Sequence, residues 1–539
     1  MKKVIAIHLD AYEPSLGLEL MAAGEMPSFR DLACRSARFE LDHGAALRTG
    51  LAAEHVATGL SPTDAKRWAA VHFNPDTYDV WQEGTYTPPF FAALPIKTVV
   101  FDSPYFDLKN APNVEGIVNW GAHDPGVASM SRPEELLSEV IKKFGEYPAK
   151  QWLYGLSWNS VEKAKQAGDK LSKAVAIRAE IAEWLLKERI KEWDLALISI
   201  SEAHSGIESM WHGIDPNHPL HHSPSAKVSG EGVKNIYKGI DSLVGRLVEN
   251  QEDAIVVMFS MHGMGPNHGD PASLLLLAEL MYRKFHGTAF FNRQGESSME
   301  LNQRVELPML ESWGQWVRAG FPEHNIVSKS KIWRIASSAT PVFLKHRYRL
   351  MKDQVRQKPL DPRHVSSLDW NPTTRYQSFW PNMPAFALPS FYDGRVRINL
   401  QGREKNGIVT IDQYRSIRDL VVRIVTECKD PITGQGVVDH VEFPISNDPY
   451  EMNETEADIV FVWNGAPTGF LHTDYGKIGP IPYRRTGGHT GGNGFAFISG
   501  ANLAPGNYGV RSAYDVAATL PDLFELGDYI NISGKSLLT

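Results

Sequence analysis

Runs of apolar residues without polar alternation recur along the chain: KVIAIHL (3–9), KTVVF (97–101), LALISI (195–200), AIVVMF (254–259), DIVFVW (458–463) and GFAFI (494–498). A strand covered on both faces needs apolar residues at every position rather than every second one. These runs therefore predict an α/β fold, with a largely parallel sheet sandwiched between helices. The helical period lies between them. In 232–250, Val233, Ile236, Tyr237, Ile240, Leu243, Val244, Leu247 and Val248 fall on one face at three-four spacing. Residues 160–190 predict a long helix, and 512–526 a shorter one near the end of the chain.

The stretch 286–395 breaks this pattern. It is rich in Trp, Arg, Pro and His, and it carries little buried-strand signal. It reads as an inserted cap or a peripheral decoration. On that reading 1–285 and 396–539 form the first and second parts of one α/β core.

Composition narrows the classes. The chain has 539 residues, 42% hydrophobic and 22% charged, enough for a large core and long for one plain domain. A net charge of −8 argues against nucleic-acid and anionic-membrane partners, whose binders present basic surfaces. Cys34 and Cys428 are the only cysteines, which excludes a disulfide framework and a thiolate zinc site. The apolar runs are strand-length, and the first ten residues lack a cleavage signal. A cytoplasmic protein without a membrane span is expected.

Residues able to hold a metal stand at the ends of the predicted strands. Asp10 closes the first, His204 and Glu208 follow LALISI, His262 follows AIVVMF, and His489 precedes GFAFI. In an open parallel sheet the carboxyl ends of the strands share one edge, where ligands bind. Asp, Glu and His without Cys suit zinc, with manganese or iron as alternatives. Thr49 opens a short helical pattern in LRTGLAAEHVATGLSP (47–62). There a hydroxyl lies beside unpaired N–H groups, either as a nucleophile toward an anion or as a helix cap. Asn74, before Pro75, reads as a turn residue or a hydrogen-bond donor to a substrate oxygen.

The order of seven stretches resembles the alkaline phosphatase superfamily, closest to its type I phosphodiesterase/nucleotide pyrophosphatase branch and the predicted phosphohydrolase–phosphomutase group. They are IHLDAYEPSL (7–16), RTGLAAEHVATGLSP (48–62), NWGAHDPG (119–126), SEAHSGIESMWHGIDPNHPL (201–220), SMHGMGPN (260–267), RINLQGREKNGIV (397–409) and RTGGHTGGNGFAFISG (485–500). The resemblance implies an alkaline phosphatase-like fold and one or two divalent metal ions. It implies hydrolysis of a small-molecule phosphoester through a threonine nucleophile. Asp10, Thr49 and His262 would hold one metal; His204, Glu208 and His489 would hold the other.

Two departures stand out. His204 and Glu208 occur with acid and histidine exchanged relative to the family pattern, and Met261 falls where the family has an aspartate. A thioether is a poor ligand for a hard cation. Three readings follow: a two-metal hydrolase with one weak site, a one-metal enzyme, or a degenerate member that binds a phosphorylated or sulfated ligand. If Met261 is a lost ligand, Met261→Asp is expected to tighten metal binding.

Overall fold

The computed structural model of the protein describes residues 2–82, 87–123, 128–154, 159–249, 251, 253–267, 269–293, 304–308, 311–322, 368–444, 448–527 and 530–539. Much of the predicted insertion at 286–395 lies outside the described residues.

Five of the six apolar runs form the middle of a nine-stranded sheet. Its strands are β1 (Val4–Leu9), β2 (Ala37–Asp42), β3 (Thr98–Phe101), β4 (Val114–Val118), β5 (Met130–Arg132), β6 (Leu195–Ile200), β7 (Ile255–His262), β8 (Asn493–Ser499) and β9 (Gly506–Ser512). Their order is β9-β2-β8-β7-β1-β6-β3-β4-β5. Strands β7, β1, β6, β3 and β4 run parallel, as the unbroken apolar runs predict. β8 is antiparallel to both of its neighbours, and β5 is antiparallel to β4.

Alternate side chains of the sheet enter two separate cores. Ile5, Ile7, Ile198, Val256 and Met258 pack under the helices Val161–Trp184 and Ala226–Glu249. These helices touch where Gly168 meets Gly232: a Cβ on Gly168 would lie 2.8 Å from the Gly232 Cα, so only glycine allows the crossing. On the other face, Val4, Ala6, Leu197, Val257 and Phe259 pack with Val56 of the helix Ala52–Thr58 and Val516 of the helix Asp515–Asp522.

The sixth run, 458–463, lies elsewhere. Ile459–Trp463 belongs to a four-stranded antiparallel sheet with Ala385–Leu388, Gly394–Ile398 and Val438–Glu442. Its residues alternate between buried and half-buried, so an apolar run here marks one covered face rather than two. Ala385–Leu388 brings a fully buried strand into the stretch where little strand signal was expected.

Candidate metal centre

The carboxyl edge of β1, β6 and β7 collects the chemistry-bearing residues. Asp10 follows β1 directly, and His262 ends β7. After β6 the chain turns into the helix Glu202–Met210, whose period places His204 and Glu208 one turn apart on one face. His489 arrives from the other side. Its strand Gly487–Gly488 pairs with Gly265–Pro266 just beyond β7, and the Thr486 N–H donates to the Glu208 carbonyl at 2.9 Å. A Cβ on Gly487 would meet the Ile207 carbonyl oxygen at 2.4 Å, so the strand lies this close to the helix only as glycine.

Asp10, His204, Glu208, His262 and His489 are all buried and form one continuous group. His204 Nδ1 lies 3.1 Å from Asp10 Oδ2, His204 Nε2 lies 3.5 Å from Glu208 Oε1, and His489 Nε2 lies 3.0 Å from His204 Nε2. The His262 and His489 ring centres are 4.6 Å apart. Tyr392 stacks on the far side of His489 at 4.5 Å and helps line an adjoining cavity of about 190 Å³ together with Arg48, Trp463 and His489.

Two participants carry no mark in the sequence pattern. His123, in the loop after β4, stacks on His204 with ring centres 3.7 Å apart and points Nε2 at Glu208 Oε2, 3.5 Å away. The NWGAHDPG stretch includes it, but no strand end or spacing singles it out. Arg485 makes a close ion pair from Nη1 to Glu208 and is also bound to both oxygens of Asp270, at 2.9 and 2.8 Å.

Burial sets the charge states. It holds the His489 imidazole well below the ordinary histidine range, with the His262 and His204 rings adding to the effect, and it lowers His262 as well. Neutral imidazole is the metal-binding form. Burial opposes ionisation of Asp10, yet the neighbouring His204, through its hydrogen bond, holds its carboxyl well below the usual carboxylate range.

The group fits a cation. One ligand atom each from His123, His204 and Glu208 lies within 4.8 Å of the others. Tetrahedral ligation with bonds of about 2.0–2.2 Å separates ligand atoms by roughly 3.4 Å. The two His–Glu contacts of 3.5 Å, one to each carboxylate oxygen, are close to that spacing, and the three ligand atoms need draw in only slightly to share an ion. Glu208 Oε2 is buried without a hydrogen bond, and Oε1 has the Arg485 guanidinium as its charged neighbour. A carboxylate so placed accepts a metal readily.

The position beside Thr49 is built differently. Thr49 ends a 3₁₀ turn over Gly44–Thr49, and Leu51 rather than Thr49 caps the helix Ala52–Thr58. The Thr49 hydroxyl donates to the Ala46 carbonyl at 2.7 Å and accepts from the Leu51 N–H at 3.2 Å. His43 stacks on His262 at 5.8 Å and pairs with His55 at 2.9 Å. Met261 precedes His262 on β7, so their side chains take opposite faces. Met261 joins Val56, Phe259 and Val516 in the apolar core. Asn74 uses its side-chain oxygen inside its own turn, accepting from the Asp76 and Thr77 N–H groups at 2.8 and 3.1 Å.

A buried charge cluster fixes the two segments that carry His123 and His204. Arg178, on the long helix, donates to both oxygens of Glu202, to Asp102 and to the Gly121 carbonyl. Asp102 in turn accepts the Trp120 and Gly121 N–H groups at 2.6 and 2.9 Å. Glu202 and Gly121 each stand two residues before a histidine of the centre, so one guanidinium sets their relative position.

No protein-family model matches the sequence, and no curated protein matches it. Among solved structures the chain is similar to phosphonoacetate hydrolase from Sinorhizobium meliloti 1021 in complex with phosphonoformate. The identity is 12% and the TM-score 0.49, over 98% of this chain and 96% of that one. It is also similar to an inactive form of murine ectonucleotide pyrophosphatase/phosphodiesterase 5 in complex with AMP, at 10% identity and TM-score 0.44, over 99% and 98% of the two chains. The human ectonucleotide pyrophosphatase/phosphodiesterase 5 is similar at 10% identity and TM-score 0.44, over 97% and 95%. Among the described residues no helix is long and apolar enough to cross a membrane.

Proposed function

We propose that the chain is a metal-dependent hydrolase of small-molecule phosphoesters, of the phosphodiesterase or nucleotide pyrophosphatase type. One observation carries the reading. Glu208 lies 3.5 Å from the Nε2 atoms of two stacked imidazoles at the carboxyl edge of the parallel strands, next to a cavity lined by Arg48 and His489. A cation held there, zinc first and manganese or iron next, supplies Lewis-acid stabilisation to a phosphoryl group.

The chain's own residues do the rest. Arg48 offers a planar donor for the phosphoryl oxygens, and its present partner is Glu442 at 2.6 Å. Thr49 follows the cavity-lining Leu47 and Arg48 and is the nucleophile in this reading. Its Oγ1–P bond forms as the P–O bond to the leaving alcohol breaks, and the hydroxyl proton ends on the departing oxygen. Water then adds to phosphorus, breaks the Oγ1–P bond and returns a proton to Thr49.

The two local hydrogen bonds of the Thr49 hydroxyl favour a second reading, in which Thr49 is a structural turn residue and water attacks directly. Turnover of a chromogenic phosphodiester and phosphomonoester by the purified protein, with and without chelator, tests the class. Hydrolysis that a chelator stops and metal restores is expected. A metal-loaded protein inactive on both substrates contradicts the proposal. Thr49→Ala decides between the readings: loss of activity supports the nucleophile, and retention supports direct attack by water.

A further inference from the structure

We propose that the chain holds one divalent cation rather than two, on His123, His204 and Glu208, and that Asp10 orients His204 instead of binding metal. This deepens the metal-dependent reading above and rests on it.

Hydrogen-bond logic fixes both imidazoles. The Ser205 hydroxyl donates its only proton to the Leu153 carbonyl at 2.8 Å, so at its 3.1 Å contact with His123 Nδ1 it can only accept. His123 therefore carries its proton on Nδ1 and turns the Nε2 lone pair toward Glu208. A carboxylate also only accepts, so Asp10 places the His204 proton on Nδ1 and leaves Nε2 3.5 Å from Glu208 Oε1. Two nitrogen lone pairs and a carboxylate then converge; His489 Nε2, 3.0 Å from His204 Nε2, donates to one of these lone pairs and must turn aside when a cation takes it. A carboxylate or hydroxyl holding the far nitrogen is the usual support of a metal-binding histidine.

The positive group beside Glu208 is Arg485. It already has both Asp270 oxygens as partners, so a cation that displaces it from Glu208 leaves it paired. Two histidines and one carboxylate leave open coordination positions, the pattern of a catalytic rather than a structural ion.

At the second position His262 is held by Nδ1 on the Gly263 carbonyl at 2.8 Å, which leaves Nε2 as its ligand atom, but the groups that would complete a site around it are engaged or absent. Asp10 Oδ2 faces His204, the Thr49 hydroxyl donates to Ala46, and Met261 is buried in the apolar core. No second cation is expected there.

The test is equilibrium dialysis of the full-length protein against zinc, counting ions per chain, with X-ray absorption on the zinc-loaded wild type. One ion per chain with two imidazole ligands is expected. Asp10→Asn should keep that single ion but weaken it by about 10–100-fold, as loss of an orienting partner does. His123→Gln, which removes a ligand itself, should weaken it by more than Asp10→Asn does, whereas Thr49→Ala should leave zinc affinity unchanged. Two ions per chain, or wild-type affinity in folded His123→Gln, overturns the proposal. So does an absorption spectrum with no imidazole, which needs no variant to fold. Chelator-sensitive turnover with two bound ions sinks this inference and leaves the proposed function standing. One ion on these ligands without turnover does the reverse.

Discussion

The two ends of the polar group at the sheet edge are built on opposite rules. Around His204 and Glu208, a helix delivers two side chains one turn apart, and a loop and a neighbouring strand bring His123 and Arg485 to meet them. Around Thr49 and His262, the Thr49 hydroxyl and His262 Nδ1 have local backbone partners, and the Met261 side chain belongs to the apolar core. A helix spaced at i and i+4 presents both residues to one point, whereas Met261 and His262, adjacent on β7, take opposite faces here. Met261 is thus better described as core than as a damaged ligand. The expectation that Met261→Asp restores a site is corrected by the face on which residue 261 lies.

The largest effect should come from cutting the frame of the His204 side. Arg178→Met leaves Asp102 and Glu202 buried without their cation, a loss of about 3–5 kcal/mol. Urea unfolding reads it, and metal affinity should fall in the same variant because Gly121 and Glu202 lose their common anchor. An unchanged unfolding midpoint would show that the cluster does not position the centre.

Met261→Asp comes next. Placing a carboxylate among Val56, Phe259 and Val516 should cost at least about 2 kcal/mol of stability without tightening metal binding. Met261→Leu, which keeps the volume, should cost under about 1.5 kcal/mol. Tighter zinc binding in the aspartate variant would restore the lost-ligand view.

The pH dependence is smaller and spread over the molecule. Burial lowers His55 to about 3, helped by Arg67 and His262, and lowers His212 to about 3, helped by His218 and His221. The unfolded chain therefore takes up protons first as pH falls below about 6.5. The stability from these neutral rings is complete above that pH and is lost on the way down toward 3. The slope is up to about 1.4 kcal/mol per pH unit for each proton. Unfolding midpoints that stay flat from pH 7 to 4 would contradict it. The smallest effect belongs to the cavity wall: Tyr392→Leu removes the stack on His489 and should cost about 0.5–1.5 kcal/mol.

Much of this was legible in the chain. The unbroken apolar runs at 3–9, 97–101, 195–200 and 254–259 became parallel strands, and the residues after three of them became the polar edge. The long helix expected at 160–190 is Val161–Trp184 followed by a π turn. β2 escaped because its residues alternate between buried and exposed, which leaves no apolar run. The run at 458–463 reads like the others, yet it lies in the smaller sheet, since apolarity alone does not say which sheet covers a strand. His123 and Arg485 were hidden for a different reason. Each comes from a loop or short strand, and only the tertiary fold brings it to Glu208. The tautomer of His123 depends on Leu153, which no pattern of spacing connects to it.

The central claim is the place of the ion. Crystals grown with zinc and measured on both sides of the zinc absorption edge locate it directly. A single anomalous peak among His123 Nε2, His204 Nε2 and Glu208, with Asp10 still bonded to His204 Nδ1, is the result this structure predicts. A peak bound by Asp10, Thr49 and His262, alone or as a second ion, would contradict it.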